Sequence, residues 1–363
     1  MNDYNVMVVT IARAAGENRS YLPGKAGVDP SQDLNQTDPL GLSDDERDLI
    51  AAAVEAKKAN GGKVIVLLNN ASAMEVQELK ENDGIDAMLE IGLPGGYGFY
   101  GVADVLSGAA NPSGHLADTY VVTNANAPSA QNYGDLEWTN AIAEISMNSE
   151  LVEAENIYIG YKYYETWYAD TVLGQGNASD PVGSSTGSAW NYDSEVTYPF
   201  GYGLSYTTFT QTLDDLTVDT NQNTITAKVT VTNTGSVAGK DVAQLYVSLP
   251  YTDYDKEHAV EKSAIQLVDY EKTKELAPGE SQTLTITADL QNIASWDSTS
   301  DNAIGTKGNY ILDAGDYYFT IGNGSHEAVN NVLAAQGQNV DGDASNPKTW
   351  NVAELDKISF ATT

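Results

Sequence analysis

The sequence predicts an α/β plus all-β chain: a partial parallel α/β sandwich domain followed by an antiparallel β-sandwich. Three observations support this. Short apolar runs alternate with a capped helical segment in the first half. The hydrophobic period drops to two in the second half. A stretch rich in Gly, Ser, Asn and Asp separates them.

The first run, Tyr4 to Ala12 (YNVMVVTIA), is continuous and apolar, as expected of a strand covered on both faces. A loop rich in Gly, Pro, Asn and Asp follows, up to about Leu42. Next comes SDDERDLIAAAVEAKKANGG, with Ser43 as N-cap and Glu46 three residues on. That is a capping box, with acids in the first turn, lysines near the end and Gly61-Gly62 as the stop. Lys63 to Asn70 reads as a second buried strand. A helical segment from about Ala73 to Asn82 leads to a third strand, AMLEIGLPG, ending at Pro94-Gly95. The Gly-rich GLPGGYGFYG lacks the Lys-Ser/Thr of a P-loop and the spacing of a dinucleotide fingerprint, so it is expected to be a tight, closely packed turn.

In the second half Ile225, Ala227, Val229 and Val231 alternate with polar residues. Ala243, Leu245, Val247 and Leu249 do the same, as do Leu284, Ile286, Ala288 and Leu290. This period puts one face of each strand on a core and the other in water. The stretch Gly174 to Glu195 is expected to be a mobile surface excursion, with a functional lid as the alternative. The divisions expected are 1–209 for the α/β domain (N-terminally incomplete), 210–336 for the sandwich, and 337–363 for a linker or tail.

Composition narrows the function. With 363 residues and 41% hydrophobic content, two cores are possible and wholesale disorder is not expected. The net charge of −33, with only 18 Lys and Arg, argues against nucleic acid and anionic lipid as partners and favours a neutral substrate such as a sugar. The absence of cysteine excludes disulfides and thiol nucleophiles. His115, His258 and His326 lie too far apart for a zinc motif, so no metal and no cofactor is expected. The start of the chain has no basic n-region or small-residue cleavage site, and no apolar run approaches the ~20 residues needed to span a bilayer. The compartment is therefore not fixed. A bacterial cell-surface or secreted protein is preferred over a cytoplasmic one, and the oligomeric state is not legible.

Four stretches, in order, resemble glycoside hydrolase family 3, the β-glucosidase and β-xylosidase group. ARAAGENRSYLPG (Ala12 to Gly24) looks like the family's strand-end loop. GVADVLSGAANPSGHLADTY resembles its Ala-Asp-Val-Leu…Asn-Pro-Ser-Gly-Arg-Leu segment, with His115 where Arg is usual. ENIYIGYKYYE (Glu155 to Glu165) is similar to its Gly-Tyr-Arg-Tyr-Tyr segment, with Lys162 for Arg. YPFGYGLSYTTF is similar to its Pro-Phe-Gly-His-Gly-Leu-Ser-Tyr-Thr, with Tyr202 for His. VTNTGSVAGKDVAQLYV and LAPGESQTLTI resemble its fibronectin type III-like (Ig-like) domain.

The resemblance implies a retaining exo-acting β-glycosidase, a β-glucosidase in first preference. Its aspartate nucleophile is expected on a (β/α)8 barrel that this chain does not show, so the chain alone is expected to be inactive. Retaining glycosidases need two carboxyl groups about 5–5.5 Å apart, one a nucleophile and one an acid that becomes a base. Glu155 matches the family's acid/base position, with Glu153 its nearest competitor. The tyrosines behind Glu155 are expected to form a strand whose packed rings fix its loop. The stretch Gly16 to Asn18 follows the end of a parallel strand, the usual ligand side of such a sheet, so Arg13, Glu17, Asn18 and Arg19 are expected to line the sugar cleft, with a structural ion-pair role as the equally supported alternative. The partners implied are an oligosaccharide or β-glycoside substrate and the catalytic barrel of the same protein. The competing reading is a scaffold module that binds carbohydrate or a partner without chemistry; a degenerate pseudo-enzyme is a third. Asn111 to Gly114 and Pro199 to Tyr206 are expected to be architectural, and Tyr246, Tyr317 and Phe319 to belong to the sandwich rather than to a sugar platform.

Overall fold

The computed structural model describes residues 5–13, 39–132, 154–174, 184–302 and 304–360. In chain order these form β1 (Val6–Ala12), α1 (Asp44–Asn60), β2 (Lys63–Asn69), α2 (Gln77–Lys80), β3 (Ala87–Glu90), α3 (Gly95–Ser107), β4 (Tyr120–Val121) and α4 (Pro128–Asn132). Then follow α5 (Tyr161–Leu173), α6 (Tyr192–Glu195), β5 (Val196–Tyr198), β6 (Phe209–Asp219), β7 (Thr224–Asn233), β8 (Val242–Ser248), α7 (Asp253–His258) and β9 (Gln266–Lys272). The last are β10 (Ser281–Asp289), β11 (Ser295–Asp301), β12 (Lys307–Ile311), β13 (Gly315–Gly322), α8 (Ser325–Ala335) and β14 (Lys348–Val352).

The chain divides into two compact units. One holds residues 1–110, 119–159 and 180–198; the other holds 111–118, 160–179 and 199–363. In the first unit β1, β2 and β3 form a parallel sheet in that order, with Val9 opposite Val66 and Ile65 opposite Ala87. Helix α1 forms as its sequence requires. The Glu46 amide donates to Ser43 Oγ, the Ser43 amide donates to the Glu46 carboxylate, and Gly61 ends the helix in the left-handed region at φ 69°.

Several expectations for this unit are corrected. Val6 and Val8 are exposed while Val9 and Ile11 are buried, so β1 is covered on one face rather than two. The Gly-rich stretch expected to be a turn opens α3 instead, with Pro94 as N-cap. Val102, Val105 and Leu106, spaced as on a helix, continue it, and none of its residues is buried. The helix expected over Ala73 to Asn82 shortens to α2. Of the expected loop from Gly174 to Glu195, residues 175–183 lie outside the described residues. Residues 184–195 carry α6, whose buried Glu195 accepts hydrogen bonds from the Ser185 amide and hydroxyl at 2.6 Å each.

In the second unit two antiparallel sheets, β10-β7-β6 and β14-β13-β8-β9, enclose the core, and β11–β12 form a separate hairpin. Ile225, Ala227, Val229 and Val231 of β7 meet Ala243, Leu245 and Val247 of β8, with Tyr317, Phe319 and Ile321 of β13. This is the alternation expected, and it places Tyr317 and Phe319 in the core. Strand β8 departs from one-face burial: Gln244 and Tyr246 are buried as well. Ala328, Val329, Val332 and Leu333 of α8, with Ala169 of α5, pack with Tyr246 on that side. Residues 337–363, expected as a linker or tail, instead supply β14. It pairs with β13, and Trp350 lies against Tyr317 at a ring separation of 5.0 Å. The architectural reading of Asn111 has a physical basis. Its side chain donates to the Ala238 carbonyl and accepts from Ser205 Oγ and the Tyr206 amide.

Candidate active-site loop

Glu155 lies on a turn spanning residues 154–157, closed by the Tyr158 amide donating to the Glu155 carbonyl at 3.0 Å. Asn156 sits in the left-handed region at φ 52°, which a short polar residue tolerates better than most, so the reversal follows Glu155 directly. Glu155 is half-buried between exposed neighbours Ala154 and Asn156. Glu153, its competitor, lies outside the described residues.

The tyrosines behind this turn do not form a strand. From Gly160, the N-cap, the chain enters α5, and this corrects the expectation. Tyr161, Tyr164, Glu165, Tyr168, Ala169 and Val172 recur at helical spacing. Each anchor is specific. Tyr161 stacks on Phe200 at 4.6 Å and its hydroxyl accepts from the Leu267 amide. Thr166 Oγ1 accepts from the Ala264 amide, and Tyr168 donates to Asn330 Oδ1 at 2.7 Å. Glu165, fully buried, accepts from Ser325 Oγ at 2.8 Å and pairs with His326 Nδ1 at 2.9 Å. A buried carboxylate requires such partners.

Arg13 follows β1 at the carboxyl end of the parallel sheet, the side on which such sheets bind ligands. Its guanidinium is buried and fully used. Nε donates to the Pro39 carbonyl, Nη1 to Ala12 and Glu46, and Nη2 to Gly41 and Glu46. All five N–H groups are taken, with the Arg13 side chain 3% exposed. That is the structural ion-pair role, and it leaves no donor for a sugar hydroxyl. Glu155 is not among its partners. Burial pushes the Glu46 carboxyl up, but hydrogen bonds from Arg13 and Ser43 and the guanidinium charge outweigh it, leaving Glu46 below its ordinary value. Glu17 and Asn18 lie outside the described residues.

One acid at the same sheet edge went unnoticed in the sequence. Glu90 ends β3 and accepts from the Gly92 amide at 2.8 Å and from Tyr120 at 3.1 Å, while burial raises its pKa. Its signal was a Glu inside the apolar AMLEIGL. Among the described residues no group of three His, Asp or Glu side chains could hold a metal ion, and no helix is long and apolar enough to cross a membrane.

Comparison with known proteins gives this arrangement a context. The glycosyl hydrolase family 3 C-terminal domain matches residues 1–206, and the fibronectin type III-like domain matches residues 241–325. β-Glucosidase A of Butyrivibrio fibrisolvens is 31% identical over 283 residues, which is 74% of this chain and 29% of that protein. β-Glucosidase B of the fungus Emericella nidulans is 30% identical over 299 residues, 82% of this chain and 30% of that protein. The structure of β-glucosidase 3B from Thermotoga neapolitana in complex with glucose superimposes with a TM-score of 0.69 at 29% identity, covering 99% of this chain and 39% of that one.

An α/β domain joined to a fibronectin type III-like sandwich, with these relatives, defines a glycoside hydrolase module. More particularly, the chain belongs to glycosyl hydrolase family 3 and is β-glucosidase-like. It spans 29% and 30% of the length of the two β-glucosidases named above.

Proposed function

We propose that this chain is the part of a retaining, exo-acting β-glucosidase that supplies the general acid/base, Glu155, to an aspartate nucleophile on a (β/α)8 barrel of the whole protein. The observation that carries the reading is the position of Glu155. It is a half-buried carboxyl on a tight turn, five residues before the N-cap of α5, inside the family-matched region.

In the first step the aspartate attacks the anomeric carbon while Glu155 gives its proton to the departing glycosidic oxygen. In the second, the Glu155 carboxylate takes a proton from the water that attacks the glycosyl-aspartate bond, which breaks and frees the sugar and the aspartate. Helix α5, held by its own contacts, begins six residues after this acid in the sequence. Glu17 and Asn18 are assigned to contacts with the sugar, and Arg13 to bracing the end of β1.

The test replaces Glu155 with Ala in the full-length enzyme. Cleavage of cellobiose should fall by about 10²–10⁴-fold, the usual contribution of a general acid. Azide should restore turnover of an activated aryl glucoside and yield β-glucosyl azide, because this anionic nucleophile displaces the aspartate from the anomeric carbon without the base catalysis that water needs. Unchanged cellobiose cleavage would overturn the assignment and bring the non-catalytic scaffold forward.

A further inference from the structure

The hairpin β11–β12 presents opposite faces of different character. Ser295, Asp297, Asn309 and Ile311 point inward and are buried. Asp297 accepts hydrogen bonds from Tyr254, Thr299 and Ser300, and Asn309 donates to the Lys357 carbonyl at 2.8 Å, so the inner face is pinned. The outer face carries Trp296 and its cross-strand partner Tyr310, which are 47% and 38% exposed. Their rings meet edge to face, with centroids 4.9 Å apart and planes at 66°.

The Trp296 indole is held in place by a glycine. Gly308 stands at φ +105°, and a Cβ there would lie 2.3 Å from Trp296 Cζ2 and 2.7 Å from Cη2. The ring therefore rests on bare backbone, a position that any side chain at 308 would deny it. An aromatic fixed before binding loses little rotamer freedom when it binds. Neither the Trp296 indole N–H nor the Tyr310 hydroxyl has a hydrogen-bond partner among the described residues, so each offers a polar group at the rim of an apolar ring.

We propose that Trp296 and Tyr310 form a non-catalytic binding platform for a neutral β-linked glucan chain, with Trp296 as the stacking surface and Tyr310 as a side wall. A β-glucopyranose unit carries its hydroxyls equatorially, which leaves C–H groups on both flat faces and polar groups at the rim. That complements an indole face bordered by an N–H and a phenol. The net charge of −33 repels an acidic polymer and leaves a neutral one unopposed. The proposal rests on membership of a glycoside hydrolase family and not on the role of Glu155.

The test is native affinity electrophoresis of the full chain in gels containing soluble mixed-linkage β-glucan, with dextran as the α-linked control. Retardation by β-glucan alone is expected. Trp296→Ala should weaken it by about ten-fold or more, and Trp296→Phe and Tyr310→Phe should retain a measurable part. Circular dichroism checks that Trp296→Ala folds; if it does not, Trp296→Phe and Tyr310→Ala carry the comparison. Tyr97→Ser, which removes an aromatic 89% exposed on α3, should bind as the parent does, which ties the retardation to this platform and not to exposed aromatics in general. Equal retardation in dextran, no retardation at all, or unaltered retardation with Trp296 replaced would overturn the proposal. A change of oligomeric state on replacing Trp296, with no loss of glucan binding, would assign the surface to protein contact instead.

Discussion

Helix α3 of the α/β unit and strand β13 of the sandwich are similarly apolar, yet the structure treats them in opposite ways. Tyr317, Phe319 and Ile321 of β13 are enclosed between two sheets. Tyr97 and Tyr100 of α3 are 89% and 74% exposed, and no residue of that helix is buried. The sandwich closes its own core. Among the described residues the α/β unit combines a core around Val64, Val66, Leu67 and Leu68 with polar locks: the Arg13–Glu46 pair and Asp86 between Lys57 and Lys63. Apolar content alone does not tell where stability resides; the partners of each side chain do.

The largest stability effect should come from the sandwich unit's own buried charges. Lys262 contacts Asp255 at 2.8 Å and also bonds Asp313, all three being nearly inaccessible. Lys262→Ala leaves two carboxylates buried and uncompensated. Urea unfolding followed through β8 and β13 should show a loss of about 3–5 kcal/mol. A loss under about 1 kcal/mol would mean that water reaches the pair.

Arg13→Ala comes next, at about 2–3 kcal/mol in the α/β unit, because it unpairs Glu46 and three backbone carbonyls. It should also change the acid dependence. Glu46 is held below its ordinary value of 4.5, so its contribution is complete above that pH and is lost as pH falls through the lower, folded-state pKa. The parent's α/β unit should therefore weaken with acid below about pH 4.5, and Arg13→Ala should flatten that slope. Equal slopes would break the assignment of the lock.

The smallest effect belongs to the exposed helix. Tyr97→Ser should change stability by no more than about 0.5 kcal/mol while reducing binding of a hydrophobic dye. A loss as large as that of a core residue would show that α3 is covered after all.

The sequence disclosed these regions unevenly, for physical reasons. Helix α1 was legible to the residue at its start because Ser43, Glu46 and Gly61 specify both ends locally. Strands β7 and β10 were legible from alternation. Helix α3 was obscured because glycines at 95, 96, 98 and 101 have low helix propensity and signal turns. Helix α5 was misread because tyrosine favours strands, although Tyr161, Tyr164 and Tyr168 already stood at helical intervals. Burial of the second face of β8 depends on α8, some 80 residues away in sequence, which no local pattern encodes. At the candidate site, Glu155 is singled out by its motif alone, since an acid beside other acids carries no local mark. The engagement of Arg13 depends on Pro39, Gly41 and Glu46, which lie 26, 28 and 33 positions away, so no local pattern encodes it.

The most direct measurement of the central claim compares kcat/KM for aryl β-glucosides of graded leaving-group basicity, in the full-length enzyme with and without Glu155→Gln. If Glu155 donates the proton to the departing oxygen, the parent should vary little across the series. The variant should then fall steeply as the leaving group becomes more basic, by about 10²–10⁴-fold at the basic end and far less for dinitrophenol. Parallel lines for the two proteins would contradict the account and remove Glu155 from the chemistry.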